Sequence, residues 1–502
     1  MKRITSIFLS SILTIHLGAI TSYGKPDWPA DTGIMAEAGI VIDADSKAVL
    51  FGQKIHVPLP PASITKLLTA LIVVENAEMD ETVTFSHDAV YNVEAGSGNK
   101  LALDEGDQIS VKDCLHMMLL LSSNQSANAL AEHVAGSREA FVEMMNQKIG
   151  MIGCTESHFA NPSGLNDDNQ YVTAYDMALI AAAAFENESV FQISSTKKYT
   201  IGPTINNPEG ANISMGHKIL MAENQSNQYY CEGAVAGKTG FTSIAGNTLV
   251  TYATREGRNL LCVILKGSQP QYYLDGKTLL NFGFASFKNE SIKNSETFLG
   301  EQDQVECENG TYPVSQLRIE DGVITLPAGA QFMDAQRTLM TQLPKNSPEA
   351  AVAILQYTYH DRKVGSAYLF DTELEAELAA AREKAERDSL EAEAPSVGDM
   401  DETDSLPEET QAEKETDRGE VHLDLGQILG ILMGIGVAAA LGLAVFAAVQ
   451  RKRRERLARE LRRQRRRQRL EEIGYSEESF EELVKKRRGS QTASRKQERE
   501  NG

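Results

Sequence analysis

The segment from Ile428 to Val449 contains no charged residue and is rich in Leu, Ile, Val, Ala and Gly. As a helix it is long enough to cross the roughly 30 Å hydrocarbon core of a bilayer. Four basic residues follow at 451–454, and basic flanks stay on the cytoplasmic side. The sequence therefore predicts a transmembrane helix at 427–450 and a basic cytoplasmic tail at 451–502. A buried core helix is the alternative, but it would not need a polybasic flank.

The N-terminus has the organisation of a secretory signal peptide. Lys2 and Arg3 precede an apolar stretch at about 4–20, and the small residues Ser22 and Gly24 follow it. This order predicts a signal peptide at 1–24 that is cleaved near Gly24, with a buried first helix or an uncleaved anchor as the alternative. Both ends of the chain thus predict that the residues between them are exported.

The net charge of −21 is distributed unevenly along the chain. Residues 451–502 hold 19 Lys and Arg against 10 Asp and Glu, so the first 450 residues carry −30. Such an acidic balance argues against nucleic-acid binding by the folded part. The tail suits either anionic lipid head groups or a solvated helix near the membrane, and its partner is left open.

The sequence contains no recognisable metal or cofactor motif. The cysteines form neither a CxxC nor a metal-binding pattern, and they lie at Cys114, Cys154, Cys231, Cys262 and Cys307. We interpret them mainly as small buried apolar residues, with an unassigned disulfide left open. A Gly-rich phosphate loop, a His/Glu cluster and a G-x-S-x-G elbow are also missing, so we expect no cofactor and no metal.

Strand-like and helix-like segments occur in blocks that predict a mixed α/β fold. A predicted hairpin at 38–43 and 48–51 opens the fold, and strands return at 248–253 and 260–265. Apolar helical segments lie between and after them, at 64–76, 111–121, 124–134, 138–149, 174–185 and about 275–287. Short β-prone pieces then predict a small β-rich domain, and the acidic residues 371–425 predict a stalk.

Three short motifs carry the candidate chemistry: Ser63-Ile64-Thr65-Lys66, Ser122-Ser123-Asn124 and Lys238-Thr239-Gly240. Two other S-x-x-K matches begin at Ser194 and Ser195, but they run into a strand-like segment. Ser63 differs from both because two prolines precede it and an apolar helical pattern follows. At the first turn of a helix, residues three apart share a face, so Ser63 and Lys66 are predicted neighbours.

A lysine can activate a serine only when its amine is neutral. The pKa of free lysine is about 10.4, so half-neutrality near pH 7 needs a drop of roughly three units, or about 4–5 kcal/mol. Burial and a neighbouring cation lower a lysine pKa. Lys238 is the candidate for the cation that acts on Lys66.

The three motifs, in this order, are those of the penicillin-binding proteins and serine β-lactamases. The surrounding segments resemble the low-molecular-mass D-alanyl-D-alanine carboxypeptidases: PPASITKLLTAL, GSGNKLALDEGDQISVKDCLHMMLLLSSNQSANALAEHVAGS, NPSGLNDDNQYVTAYDMALI and AGKTGFTSIAGNTLV. The resemblance implies a β-lactamase/transpeptidase-like domain at 25–290, with an antiparallel sheet flanked by helices and a helical subdomain. It extends more loosely over the small β-rich domain at 291–370.

The resemblance also implies a role for each motif residue. The implied nucleophile is Ser63, and the implied general base is Lys66. Ser122 and Asn124 are the implied proton-relay and substrate-amide contacts. The implied substrate-binding residues are Lys238, Thr239, Gly240 and Phe241, the last through its backbone N–H, which forms an oxyanion hole with that of Ser63. The implied partners are peptidoglycan stem peptides and β-lactam inhibitors, met outside a bacterial cell membrane to which a single-pass helix anchors the enzyme.

Two positions depart from the family pattern. Phe241 stands where some relatives carry histidine, and Ser268 stands where an arginine that assists carboxylate binding is expected. Carboxypeptidase, DD-endopeptidase, β-lactamase and non-catalytic wall receptor therefore remain as alternatives. A class A β-lactamase needs a glutamate-activated water, but the Glu223–Asn227 match lies too close to Lys238 to supply it. The sequence thus predicts a long-lived penicilloyl adduct.

Overall fold

The computed structural model describes residues 25–93, 97–344 and 346–392. The predicted signal peptide at 1–24, the transmembrane helix at 427–450 and the tail at 451–502 lie outside these residues, as does the stalk beyond residue 392. Within the described ranges, no helix is long and apolar enough to cross a membrane.

The described part of the chain contains both strands and helices throughout. The strands are β1 (Ala38–Asp43), β2 (Val49–Gln53), β3 (Thr82–Thr84), β4 (Gln108–Ser110), β5 (Lys198–Ile201), β6 (Ala211–Ser214), β7 (Ala234–Thr242), β8 (Gly246–Arg255), β9 (Arg258–Gly267), β10 (Phe287–Ser291), β11 (Gln304–Cys307), β12 (Gly310–Pro313), β13 (Leu317–Ile319), β14 (Val323–Pro327), β15 (Gln336–Met340), β16 (Ala351–Tyr359) and β17 (Arg362–Asp371). The helices are α1 (Lys66–Asn76), α2 (His87–Tyr91), α3 (Val111–Leu120), α4 (Asn124–Ala135), α5 (Arg138–Ile152), α6 (Ala174–Glu186), α7 (Glu188–Ser195), α8 (Lys218–Met221), α9 (Gln271–Ser286), α10 (Ile292–Ser295) and α11 (Thr372–Ala392).

The first sheet is antiparallel and has the strand order β2-β1-β9-β8-β7. Every residue of β1 is buried, so both faces of the sheet are covered. Because side chains alternate between faces along a strand, the register pair Ile40 and Val263 joins the core of the helical block. The next pair, Val41 and Cys262, joins the core beneath α9. The predicted antiparallel sheet flanked by helices is thus confirmed.

Helices α1 to α7 lie between β2 and β7 in the chain and form the helical block. Every residue of α1 from Lys66 to Val73 is buried, and this helix packs against α4, α5, α6 and α7. Side-chain caps fix the starts of neighbouring helices: Ser110 and Ser137 each accept a hydrogen bond from a backbone N–H three residues on. The central position of α1 places the aliphatic part of the Lys66 side chain in apolar surroundings.

The second sheet has the order β10-β14-β17-β16-β15, with β13 on β17 as well. It begins at Phe287, a few residues before the boundary that the sequence predicts. Its own apolar core includes Ile324, Leu355 and Val364. The described residues up to Leu378 nevertheless form one compact unit, so a separate β-rich domain at 291–370 stays a prediction.

Trp28 joins the two sheets from an extended N-terminal segment. Its indole Nε1 donates a hydrogen bond to the Leu50 carbonyl in the first sheet, at 3.0 Å. Its ring centroid lies 4.9 Å from that of Phe287 and 6.2 Å from that of Tyr359 in the second sheet. Close by, the Ser46 and Thr325 hydroxyls are buried 2.6 Å apart. The junction between the sheets therefore combines aromatic packing with paired polar groups.

The five cysteines are all free thiols. Four of them are buried and Cys307 is half-buried, which agrees with their interpretation as small apolar residues. Burial holds the pKa of the Cys114 and Cys262 thiols well above the usual range, so these two stay protonated and unreactive.

Candidate active site

Ser63 and Lys66 lie side by side where a short 3-10 turn, Ala62–Thr65, leads into α1. The Lys66 Nζ atom lies 3.0 Å from Ser63 Oγ and 2.7 Å from Asn124 Oδ1, and it also contacts the Ser163 carbonyl oxygen. The last two atoms can only accept hydrogen bonds. A neutral amine has two hydrogens, which these two oxygens accept, so its lone pair is left for the Ser63 hydroxyl. The arrangement suits a base that removes the proton of Ser63.

The surroundings of Lys66 favour that neutral amine. The residue has no exposed surface, and its pKa is held well below the usual range by burial first, then by the Lys238 cation and by Lys100. Both effects penalise a positive charge, the first by desolvation and the second by repulsion. Lys238 therefore acts as the neighbouring cation that the sequence predicts.

Lys238 faces the same cleft from β7. Its Nζ atom donates hydrogen bonds to Ser122 Oγ and to the Thr239 carbonyl oxygen, each at 3.0 Å. Only 2% of the residue is exposed, and burial, followed by repulsion from Lys100, lowers its pKa to about 7. Ser122 is thus in contact with Lys238 while Asn124 is in contact with Lys66, and the S-x-N motif links the two lysines.

Ser123, the middle residue of that motif, has a different task. Its hydroxyl caps α4 by accepting a hydrogen bond from the Ser126 backbone N–H at 3.1 Å. A side-chain cap of this kind fixes the start of a helix and is worth about 1 kcal/mol. Ser122 and Asn124, which contact the two lysines, therefore lie at the fixed start of α4.

The strand β7 approaches the Ser63 backbone closely at Gly240. A Cβ atom at this position would lie 2.7 Å from the Ser63 nitrogen and 2.4 Å from Thr248 Oγ1. Only glycine allows this approach. Phe241 follows directly and pairs with Asn247 across the sheet, while 65% of its surface is exposed. The strand edge after Gly240 is thus brought next to the Ser63 N–H, where the resemblance implies an oxyanion hole.

A loop that follows α5 supplies the carbonyl that Lys66 contacts. Asn161 Oδ1 accepts hydrogen bonds from the Ser163 and Gly164 backbone N–H groups, at 3.2 and 2.8 Å. Gly164 has a φ of +84°, and a Cβ atom there would lie 1.9 Å from the Ala62 carbonyl oxygen. The loop therefore packs directly on the turn that carries Ser63, and it fixes both the turn and the Ser163 carbonyl.

Two non-glycine residues beside the reactive groups have left-handed backbone conformations. Ala62, directly before Ser63, has a φ of +50°, and Ser122 has a φ of +64°. Such a conformation costs about 1–2 kcal/mol for a residue with a Cβ atom. Strain of this kind persists where the surrounding structure enforces it, and it concentrates at functional sites.

His217 lies behind Lys238 and was not singled out from the sequence. It is buried, and its Nε2 atom lies 3.2 Å from both the Val250 carbonyl oxygen and Thr251 Oγ1. Val250 is the β8 partner of Lys238, so the imidazole supports the strand pair that holds this lysine. Burial lowers the pKa of His217 to about 4, which keeps the ring neutral beside the cation.

The structure brings together all the residues that the three motifs predict. Ser163, Lys100 and His217 are the contributors that sequence reasoning missed. Ser163 contacts Lys66 through its backbone carbonyl, so its side chain gives no sign of this contact in the sequence. The segment around it does resemble the D-alanyl-D-alanine carboxypeptidases. The other S-x-x-K matches lack such surroundings, because Lys197 and Lys198 are exposed beyond the end of α7.

Comparison with known proteins agrees with this geometry. The family model described as D-alanyl-D-alanine carboxypeptidase matches residues 25–269. D-alanyl-D-alanine carboxypeptidase DacB2 of Mycobacterium tuberculosis is 33% identical over 273 residues, which cover 53% of this chain and 86% of that protein. The chain belongs to the D-alanyl-D-alanine carboxypeptidase family. The match to the family model ends two residues after β9.

Other members of the family show lower identity over longer stretches. DacA of Haemophilus influenzae is 29% identical over 345 residues, which cover 66% of this chain and 82% of that protein. DacF of Bacillus subtilis is 26% identical over 306 residues, which cover 59% and 75% respectively. Among solved structures, penicillin binding protein 5 from Haemophilus influenzae matches with a TM-score of 0.54 and 24% identity, covering 68% of this chain and 98% of that one. This last match supports the transpeptidase-like α/β fold.

Proposed function

We propose that this chain is a serine-type D-alanyl-D-alanine carboxypeptidase that removes the terminal D-alanine of peptidoglycan stem peptides. One observation carries the proposal: a fully buried lysine amine lies 3.0 Å from the Ser63 hydroxyl, with its two other contacts on acceptor oxygens. This arrangement leaves the amine free to accept the serine proton. Membership of the carboxypeptidase family supports the choice of substrate.

In the acylation step, Ser63 Oγ attacks the carbonyl carbon of the penultimate D-alanine while Lys66 takes the hydroxyl proton. The Ser63 and Phe241 backbone N–H groups stabilise the resulting oxyanion, and such a donor is typically worth about a hundredfold or more in rate. The peptide bond then breaks, and the leaving amine of D-alanine receives the proton that Lys66 took from Ser63, relayed through Ser122, which returns Lys66 to its neutral form. Lys238 and Thr239 hold the carboxylate of the departing residue, while Asn124 contacts the substrate amide.

In the deacylation step, water attacks the Ser63 ester, and the shortened stem peptide leaves with a new carboxylate. A β-lactam acylates the same oxygen, but its leaving group stays tethered within the adduct. The hydrogen bonds of the Lys66 amine are to Ser63, Asn124 and the Ser163 carbonyl oxygen, and none of these partners is a glutamate that could activate a water, so we expect the penicilloyl ester to persist. A penicilloyl ester that persists would favour the carboxypeptidase over the β-lactamase alternative.

Incubation of the purified exported part with a pentapeptide that ends in D-Ala-D-Ala tests this proposal. We expect one equivalent of free D-alanine per peptide, measured by amino-acid analysis, and an intact tetrapeptide product. Preincubation with benzylpenicillin should block the release, because the adduct occupies Ser63. A folded protein that releases no D-alanine would contradict the carboxypeptidase assignment, and rapid turnover of penicillin would favour a β-lactamase instead.

The pH dependence of kcat/KM should be bell-shaped, because the two buried lysines must carry different charges. Below the lowered pKa of Lys66, its amine is protonated and cannot accept the Ser63 proton, so the rate falls on the acid side. Above about pH 7, Lys238 loses the charge that binds a carboxylate, so the rate falls on the alkaline side as well. Steady-state kinetics over a pH series measure both limbs.

A substrate with a C-terminal amide is the matched control for the alkaline limb. It has no carboxylate, so the loss of charge on Lys238 should not weaken its binding. If kcat/KM fell equally with both substrates on the alkaline side, that limb would belong to a group other than Lys238. In Lys66→Arg, the guanidinium stays protonated at every accessible pH, and activity should be absent across the series.

The arrangement of the exported chain is part of the same proposal. A signal peptide at 1–24 directs export, the catalytic domain occupies 25–290, and a small β-rich domain occupies 291–370. An acidic stalk at 371–425 and a transmembrane helix at 427–450 hold the enzyme at the outer face of a bacterial cell membrane, with the tail at 451–502 in the cytoplasm. The uncharged run at 428–449 and its basic flank support this topology.

A further inference from the structure

Lys100 contacts the backbone directly before the S-x-N motif, next to the residue that Lys238 contacts. Its Nζ atom donates a hydrogen bond to the Leu121 carbonyl oxygen at 2.9 Å, directly before Ser122. Ser122 in turn accepts from Lys238 Nζ at 3.0 Å. Two lysine ammonium groups from distant parts of the chain thus meet at one strained backbone segment.

The segment that carries Lys100 is fastened on both sides. The buried side chain of Gln125 donates to the Gly98 carbonyl oxygen at 3.1 Å. On the other side, Asn207 Nδ2 donates to the Leu101 carbonyl oxygen at 2.7 Å. The position of the Lys100 backbone is therefore set by the fold, although the residue itself is exposed.

The charged groups that act on the two buried lysines are both cations. Lys238 and Lys100 are the charged groups that act on Lys66, and Lys100 is the one that acts on Lys238. Among the residues that the structure describes, no carboxylate is one of the groups that shift the pKa of these two lysines. Like charges held close together favour the binding of an anion. The position where the family pattern provides an arginine for the carboxylate is Ser268 in this chain.

We propose that Lys100 is a specificity residue that supplies, with Lys238, the second positive charge for the free C-terminal carboxylate of the substrate. This inference rests on the proposed function and deepens it, because it names the group that separates carboxypeptidase from endopeptidase substrates. Lys238 binds the carboxylate inside the cleft, and Lys100 attracts it from the exposed rim. An internal peptide bond has no charge at this position and gains nothing from either lysine.

The test compares a peptide ending in D-Ala-D-Ala with its C-terminal amide, using wild type, Lys100→Met, Lys100→Arg and Lys112→Met. Lys112 is an exposed lysine at the start of α3, so its variant makes the same charge change away from the cleft. In Lys100→Met we expect kcat/KM for the free acid to fall relative to that for the amide, as for the loss of an exposed ion pair. Because Lys100 also acts on Lys66 whichever substrate is bound, the deciding quantity is the acid-to-amide ratio of kcat/KM, which should fall about fivefold in Lys100→Met. Lys100→Arg and Lys112→Met should keep the wild-type ratio.

An equal loss on acid and amide would overturn the inference, because it would indicate a merely structural role for Lys100. No change on either substrate would overturn it as well. Acylation by benzylpenicillin and by its methyl ester, followed by intact-protein mass, gives the same comparison without D-alanine release. If wild type is acylated but releases no D-alanine, the proposed function fails, while the acid-to-ester ratio in Lys100→Met still decides the role of Lys100. If neither penicillin compound acylates wild type, both fail.

Discussion

Ser63→Ala should abolish D-alanine release and covalent penicillin binding while leaving the fold intact. The loss in kcat should be about 10⁴-fold or more, because removal of a nucleophile leaves only oxyanion stabilisation and binding. Lys66 keeps its contacts with Asn124 and with the Ser163 carbonyl, so the buried amine stays satisfied. Intact-protein mass after benzylpenicillin gives the covalent readout, and thermal unfolding gives the structural one.

Ser195→Ala is the matched control, since Ser195 with Lys198 forms another S-x-x-K sequence. The Ser195 hydroxyl donates to the Phe191 carbonyl oxygen at 2.8 Å within α7, so its removal costs one hydrogen bond, about 1 kcal/mol. The penicilloyl adduct should form on this variant at the wild-type rate. An adduct that survives in Ser63→Ala would show that the nucleophile is another residue, and tryptic mapping of the labelled peptide would locate it.

Gly164→Ala should both destabilise the protein and disable the nucleophile. The new Cβ atom would lie 1.9 Å from the Ala62 carbonyl oxygen, and φ is +84° at this position. Backbone must move, so we expect the free energy of unfolding to fall by about 3–4 kcal/mol. The shifted atom adjoins Ser63, and a displacement near 1 Å can cost about a hundredfold in rate. Chemical denaturation and the rate of penicillin acylation measure the two effects.

Gly153→Ala separates the steric effect from the conformational one. Gly153 ends α5 with a φ of +96°, but nothing lies within 4 Å of the added Cβ atom. The free energy of unfolding of Gly153→Ala should fall by only about 1–2 kcal/mol, which is the cost of a left-handed conformation for alanine. Penicillin should acylate this variant at the wild-type rate. Equal destabilisation of the two variants, with acylation preserved in both, would mean that the loop does not determine the position of Ser63.

Local patterns were sufficient for most of the first sheet and the helical block. The predicted strand at 38–43 coincides with β1, and the helix predicted at 124–134 coincides with α4 to within one residue. These elements have uninterrupted apolar periodicity and clear ends, such as the Ser123 cap. For α1, the apolar run predicted a helix from residue 64, whereas the first turn is a 3-10 turn that presents Ser63.

The environment of the site could not be predicted in the same way. The Lys66 contact with Ser163 joins residues that are 97 positions apart, and it uses a carbonyl that every residue type possesses. His217 belongs to none of the three motifs. Its contact with the strand pair that holds Lys238 exists only because β7 pairs with β8. Short motifs thus predicted the candidate reacting groups, while the groups that set their pKa values emerge only from the tertiary structure.

The position of Trp28 has a practical consequence. It is the one tryptophan of the chain, and its indole lies between the two sheets. Tryptophan emission therefore comes from a single indole between the two sheets, and a red shift of that emission would signal that water has entered the space between them. Denaturation followed by emission and by penicillin labelling would then report on two regions separately, and a gap between the midpoints would show that they do not unfold together.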